Sequence, residues 1–201
     1  MTRKFVYAAA AIAFTFLGIQ QSSAQAFEKG GKYLTLGIGG GNHWHIDVQN
    51  NWPGNGWRGS NVGGVTLQME WGIHDYVGLG FSTGVMGGFG NYGWYGPGWG
   101  GGWSGGYGEL AIPVGLITNF HFYRLIDDKV SKDIHSDKLD IYAGLNVGSG
   151  ISFYPTPGWV SPLFYAGPQV GARYFVKPNI GLGLEVGYGK TFVNGGVTFK
   201  L

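Results

Sequence analysis

Cysteine is absent from all 201 residues, so no disulfide can staple this fold, and stability must come from the backbone network and packing. Charge is scarce at 12% of residues. Long apolar runs are scarcer still: past residue 19 no stretch is apolar for the ~20 residues that a spanning helix needs, which excludes a helical membrane protein. Glycine is abundant instead, 41 residues, and aromatics reach 16%. That composition is too aromatic for a disordered tail and too glycine-rich for a helical bundle.

The one apolar run, Phe5 to Ile19, follows Arg3 and Lys4 and precedes Ala24-Gln25-Ala26. A positive start, a short apolar stretch and a small-x-small site read as a secretory signal peptide over residues 1–26, removed after Ala26. The run is too short for a membrane anchor. Residues 27–201 then suit one domain. Losing Arg3 and Lys4 lowers Lys+Arg from 13 to 11, against 11 Asp+Glu, a net charge of zero. No basic stripe is left, so a nucleic-acid partner is excluded.

From Tyr33 onward apolar residues recur at every second position. Ile180, Leu182, Leu184, Val186 and Tyr188 share one face; Gly181, Gly183, Glu185 and Gly187 share the other. A period of two marks a β-strand whose faces meet different environments. Eight such segments are legible: 33–41, 63–72, 77–85, 110–123, 139–149, 163–175, 180–188 and 192–201. Pro113 lacks a ladder donor and predicts a bulge or bend in the fourth.

The connections alternate in length. Segments 42–62 and 89–107 are long, whereas 73–75 and 177–179 are tight, the asymmetry of an outer-membrane barrel with long external loops and short periplasmic turns. Residues 124–138 depart from this pattern, with eight charges in a connection expected to be short. Four acids and four bases cancel there, which reads as a solvated excursion.

A soluble barrel is apolar inside and polar outside, and a membrane barrel inverts this. Opposite the Leu/Val/Ile rows lie Gln68, Glu70, Asp140, Gln169, Arg173, Glu185 and Lys200, interspersed with glycines. Eight strands enclose an interior that side chains can just fill. The pattern therefore predicts an all-β, eight-stranded antiparallel transmembrane barrel. Glu70, Asp140, Arg173, Glu185 and Lys200 are expected to form a lumen network, with Arg173 and Glu185 as direct or diagonal neighbours. At the carboxyl end Val197, Phe199 and Leu201 alternate with Thr198 and Lys200, like the terminal signal read by the barrel insertion machinery.

The stretches Gly171-Ala172-Arg173-Tyr174-Phe175, Asn179-Ile180-Gly181, Glu185-Val186-Gly187-Tyr188-Gly189 and Gly196-Val197-Thr198-Phe199-Lys200-Leu201 resemble small outer-membrane β-barrel domain proteins of the OmpX/OmpA-like kind, especially those of Bacteroidetes-type bacteria. The resemblance implies a fold and a location in the cell outer membrane of a Gram-negative bacterium. It implies no catalytic set.

Chemical motifs are weak. Gly189-Lys190-Thr191 has Leu184 where a P-loop needs glycine, and no helix follows. His43, His45 and Asp47 could share a metal, but loop histidines are usually just solvated. Ser82 lies eight residues from His74, roughly 26 Å along a strand, so those two and Asp75 cannot form a triad. No cofactor is expected and the chain is read as a non-enzyme.

The connection 89–107 holds nine glycines and seven aromatics in nineteen residues. Trp94, Trp99 and Trp103 there are the expected loop contacts for a surface glycan, lipopolysaccharide or a protein; residues nearest the strand ends also suit an interfacial girdle. The expected molecule is thus a monomeric barrel in outer-membrane lipid with a packed lumen and a structural or surface-interaction role. The alternatives are a narrow pore for small solutes, a lipid-modifying enzyme and a soluble barrel for a hydrophobic ligand.

Overall fold

The computed structural model describes residues 26–41, 55–94, 104–129, 136–154 and 158–201; for 55–62, 89–94, 104–107, 154, 159 and 161 it gives the course of the backbone. Eight strands run in chain order: β1 Lys32–Gly40, β2 Asn55–His74, β3 Val77–Trp94, β4 Ser104–Phe120, β5 Leu139–Tyr154, β6 Trp159–Lys177, β7 Ile180–Gly187 and β8 Val193–Lys200. Each pairs antiparallel with its sequence neighbour, and β1 pairs with β8, closing the barrel. Where all eight strands pair, closure leaves no edge, as a lipid environment requires.

The period of two decides what faces where. Leu36, Ile38, Val65, Leu79, Phe81, Val114, Leu116, Leu145, Val147, Leu182 and Leu184 are exposed on the outside. Their neighbours Thr66, Gln68, Glu70, Ser82, Asn119, Asp140, Asn146, Gln169, Arg173 and Glu185 are buried inside. The interior is polar and the exterior apolar, the inversion that distinguishes a membrane barrel from a soluble one.

Glycines inside the wall make room for the large polar side chains. A Cβ on Gly171 would sit 2.3 Å from the Tyr142 ring, and one on Gly78 would sit 2.1 Å from Glu70 Oε1.

Several strands outrun the alternating pattern. β2, β3 and β4 continue into the segments expected to be loops, over 55–62, 89–94 and 104–107 respectively, and they stay paired there (Trp57 with Tyr92, Tyr92 with Gly105). Glycine at every second or third position hides the alternation in this stretch, while Trp and Tyr retain strand propensity. Trp94 accordingly ends β3 opposite Asn55 and is not a loop residue. Trp99 and Trp103 lie outside the described residues, as do His43, His45 and Asp47.

At Pro113 no bulge is found, and the end of the fourth strand is corrected. The β3–β4 register is the same before and after Pro113 (Thr83 opposite Val114, Met86 opposite Ala111), so no residue is inserted. The ladder skips the pairs between, and the Thr83 hydroxyl donates to the Pro113 carbonyl at 2.9 Å. The fourth strand also ends at Phe120 rather than residue 123, and α1, Phe122–Asp127, spans the end of the expected strand and the start of the charged connection.

One end of the barrel carries the tight β2–β3 and β6–β7 turns, the β4–β5 connection with α1, and both Ala26 and Leu201; the opposite end carries the β1–β2, β3–β4, β5–β6 and β7–β8 connections. β1, β7 and β8 are short, so β2 to β6 stand taller at that opposite end. Beyond Gln169, β6 leaves its pairing with β7. Pro168 directs its carbonyl to that side, accepting from Tyr188 N–H at 2.8 Å. Pro162 shares this parity, so neither residue sets an amide donor on the exposed edge.

Candidate functional site: the filled lumen

The centre of the lumen is built by strands from all sides of the wall. Arg173 on β6 donates from Nη2 to Glu70 Oε2 on β2 at 2.5 Å, and its Nη1 lies 3.7 Å from Asp140 Oδ2 on β5. His121, one residue past β4, bridges the same carboxylates, with Nδ1 2.8 Å from Asp140 Oδ1 and Nε2 3.1 Å from Glu70 Oε1. An imidazolium donates from both nitrogens; with Arg173 it would balance the two carboxylates.

A chain of amides extends this core. Asn119 donates to Glu70 Oε1 at 2.8 Å, Gln169 to Asn119 at 2.8 Å, and Asn146 to Gln169 at 3.1 Å. Every member is buried. Each of these side chains keeps at least one partner in a space that excludes bulk water, while Asp140 Oδ2, Asn146 Oδ1 and Arg173 Nη1 make no hydrogen bond among the described residues.

Glu185 belongs to a second cluster. Arg173 pairs in register with Gly183, which leaves Glu185 diagonal to it. The Arg173 guanidinium turns instead toward Glu70 and Asp140. Glu185 takes Lys190 Nζ at 3.0 Å and the Tyr142 hydroxyl at 3.0 Å. Tyr142 joins the two clusters, because the Arg173 guanidinium lies 4.5 Å from its ring centroid. Lys190 also donates to Gln68. It reaches the lumen because the β7–β8 turn folds inward, with Gly189 at φ 127 packed against Asn146; only glycine adopts that conformation readily.

The five residues expected in one network thus divide. Glu70, Asp140 and Arg173 come together, Glu185 is linked through Tyr142, and Lys200 stands apart in an ion pair with Glu28 at 2.8 Å. His121, Asn119 and Asn146 were legible as inner-face positions by parity but were not singled out. Lys190 had no such signal, since parity says nothing about a turn.

Both ends of the polar core are covered. At the turn end Phe27 stacks on His121 with centroids 3.3 Å apart and planes 9° apart. Ala26, Phe27, Tyr33 and Phe175 form an apolar cluster there. Toward the other end Met86, Ala111, Leu163 and Tyr165 form a second apolar cluster inside the wall. Between them a cavity lined by Gln68, Tyr142, Arg173, Glu185, Asn194 and Thr198 measures about 10 Å³, roughly the room one water requires.

The arrangement offers little chemistry to an outside molecule. Ser82 is buried in the lumen whereas His74 is exposed at the hairpin end, so these groups do not meet. His121 and its two carboxylates are sealed beneath Phe27.

No family model matches the chain, and no curated protein matches it. Solved structures do. The outer membrane protein OprG from Pseudomonas aeruginosa superposes with a TM-score of 0.59 at 9% identity, over 88% of this chain and 99% of that one. The attachment invasion locus protein Ail of Yersinia pestis gives a TM-score of 0.39 at 10% identity, over 86% of this chain and 95% of that one. At such identity the likeness to OprG is one of fold: this chain has the eight-stranded barrel of an outer-membrane protein.

Proposed function

We propose that this protein is a plugged barrel of a Gram-negative outer membrane, with a structural or surface-interaction role and no transport through its lumen. One observation carries the reading: an apolar outer wall encloses an ionic and amide network whose cavity has room for about one water. Burial of an unsolvated charge network is costly, and here β2, β4, β5, β6 and β7 all contribute side chains to it.

An amino-terminal leader would export the chain, and the barrel insertion machinery would receive its terminal strand. The turn end, with α1 and the amino terminus, would then face the periplasm, and the taller β2–β6 wall the outside. The OmpX/OmpA-like, Bacteroidetes-type resemblance fits this placement. A monomer suits a barrel that closes on itself within one chain.

The external partner would be a surface glycan, lipopolysaccharide or a protein met by the aromatic, glycine-rich connection between β3 and β4. Replacing residues 95–103 by a Gly-Ser turn tests this. Pairing of Gly93 with Ser104 remains possible, and loop closure costs little with length, so insertion and heat-resistant mobility should persist. Binding to cells, glycan or lipopolysaccharide should fall, and Trp99→Ala with Trp103→Ala should reproduce much of the loss. Failure of the shortened protein to insert would make these aromatics part of the barrel rather than a contact surface.

A further inference from the structure

Along the turn-end half of β6 the faces alternate without a break, with Arg173 and Phe175 buried and Tyr174 exposed. One more step of that alternation would turn Lys177 into the lumen. The ladder slips instead. Phe175 lies opposite Gly181, but Lys177 lies opposite Ile180, so two residues of β6 answer one of β7. Residues opposite each other in an antiparallel ladder share a face, and Ile180 has the parity of the outward Leu182 and Leu184. The bulge therefore carries Lys177 to the outer wall. It stands there beside Tyr174 and Val176, which are 50% and 54% exposed.

We propose that Lys177, Lys138 and Tyr174 form a binding site for the headgroup of an anionic phospholipid in the periplasmic leaflet. This rests on the reading that the turn end faces the periplasm. Lys138 reaches the site from the neighbouring strand. Its carbonyl accepts from Phe175 N–H at 2.7 Å, and Leu139, the next residue, lies opposite Tyr174. Both lysines are exposed, and among the described residues no ion pair engages either. Asp137, exposed beside Lys138, sets one carboxylate against two ammonium groups.

The chemistry selects the ligand. A lysine at the edge of the wall lays its methylenes on apolar surface and extends its ammonium to the headgroup level. A tyrosine ring suits the same level, with its hydroxyl toward water. Two ammonium groups favour a phosphate that keeps its net charge. A phosphatidylcholine phosphate is neutralised by its own quaternary ammonium and gains less.

The same device recurs four strands away around the ring of eight. Trp71-Gly72-Ile73-His74 repeats the order of Tyr174-Phe175-Val176-Lys177: outward aromatic, inward residue, outward apolar residue, nitrogen base. A register shift between Gly72 and His74 sets His74 opposite Val77, again in the outer row. There the base is an imidazole, whose Nδ1 accepts from Tyr76 N–H at 3.4 Å. At the bulge position only the β6–β7 hairpin carries an ammonium.

Backbone amide shifts of the refolded protein in lipid nanodiscs test the site. As phosphatidylglycerol replaces part of the phosphatidylcholine, the amides of Lys138 and of 174–177 should shift. Those of Lys29 and Lys129, exposed lysines of the same end outside the strands, should stay. Lys138→Gln with Lys177→Gln should abolish the shift at Tyr174. Lys29→Gln with Lys129→Gln, an equal change of charge, should leave it. No shift in the unaltered protein overturns the proposal, as does an equal shift at Lys29 and Lys129. A shift at Tyr174 that survives the loss of Lys138 and Lys177 overturns it too. The leaflet is tested separately by an impermeant maleimide on Asn179→Cys in intact cells, where no labelling is expected. Labelling there overturns the periplasmic placement and the leaflet assigned, whereas the nanodisc shifts report the site itself.

Discussion

Truncating Arg173 would leave two buried carboxylates, Glu70 and Asp140, with His121 alone to balance them, because no other guanidinium reaches them among the described residues. Arg173→Met should therefore lower stability by ~3–5 kcal/mol, the cost of an unpaired buried charge, read as a reduced urea midpoint for unfolding from lipid vesicles. Combined with Glu70→Gln in a double-mutant cycle it should show strong coupling. The Arg173–Glu185 cycle should show less, since Tyr142 stands between them. Equal coupling in the two cycles would mean that Arg173 does not prefer Glu70. On the outer face the same logic works in reverse. Val114→Arg, near the middle of β4's outer band, should cost ~2–4 kcal/mol, while Ile73→Arg near the hairpin end should cost only ~0–1 kcal/mol. Both residues are 54% exposed, so equal costs would contradict an apolar surround whose depth varies along the wall.

At the level of elements, α1 is held by exposed polar contacts rather than by packing. Asp128 accepts from the Tyr76 hydroxyl at 2.8 Å and from Arg124 Nε at 3.2 Å. The Tyr76 hydrogen bond, with Arg124 beside it, holds the Asp128 carboxyl below its ordinary range. A depressed carboxyl contributes stability that is fully present above its unfolded pKa and is lost as pH falls through the folded value. Amide exchange in α1 should therefore quicken, relative to the strands, as pH drops through the acidic carboxylate range. Asp128→Asn should remove that pH dependence; an unchanged profile in the variant would assign it to another group. These contacts were not legible in the sequence. The eight charges of 124–138 showed a solvated segment, but pairing between Asp128 and a tyrosine 52 residues earlier depends on which turn lies beside α1. The strands were legible wherever apolar residues alternate with glycine or polar ones, as in β7. Where glycine fills both parities, as at the upper ends of β2 to β4, the period vanished although pairing continued.

For the whole molecule, the inversion of polar and apolar faces could be read before any coordinates, because it depends only on parity along each strand. The number of strands followed from the same period. What parity could not supply was the third dimension of the lumen: which inward side chains meet across it. Arg173 and Glu70 are 103 residues apart, and their encounter follows from barrel closure and stagger rather than from any local pattern. Nor could parity show that Phe27 and Lys190, neither on a strand, enter the interior from its two ends. Together these side chains fill the barrel, and a filled barrel should not conduct. The most direct measurement is current across a planar lipid bilayer containing the purified, refolded protein under an applied voltage in concentrated potassium chloride. The structure predicts a baseline without resolvable channel steps at any moderate voltage. Reproducible unitary steps from the folded, heat-resistant form would contradict a sealed lumen and favour a narrow pore.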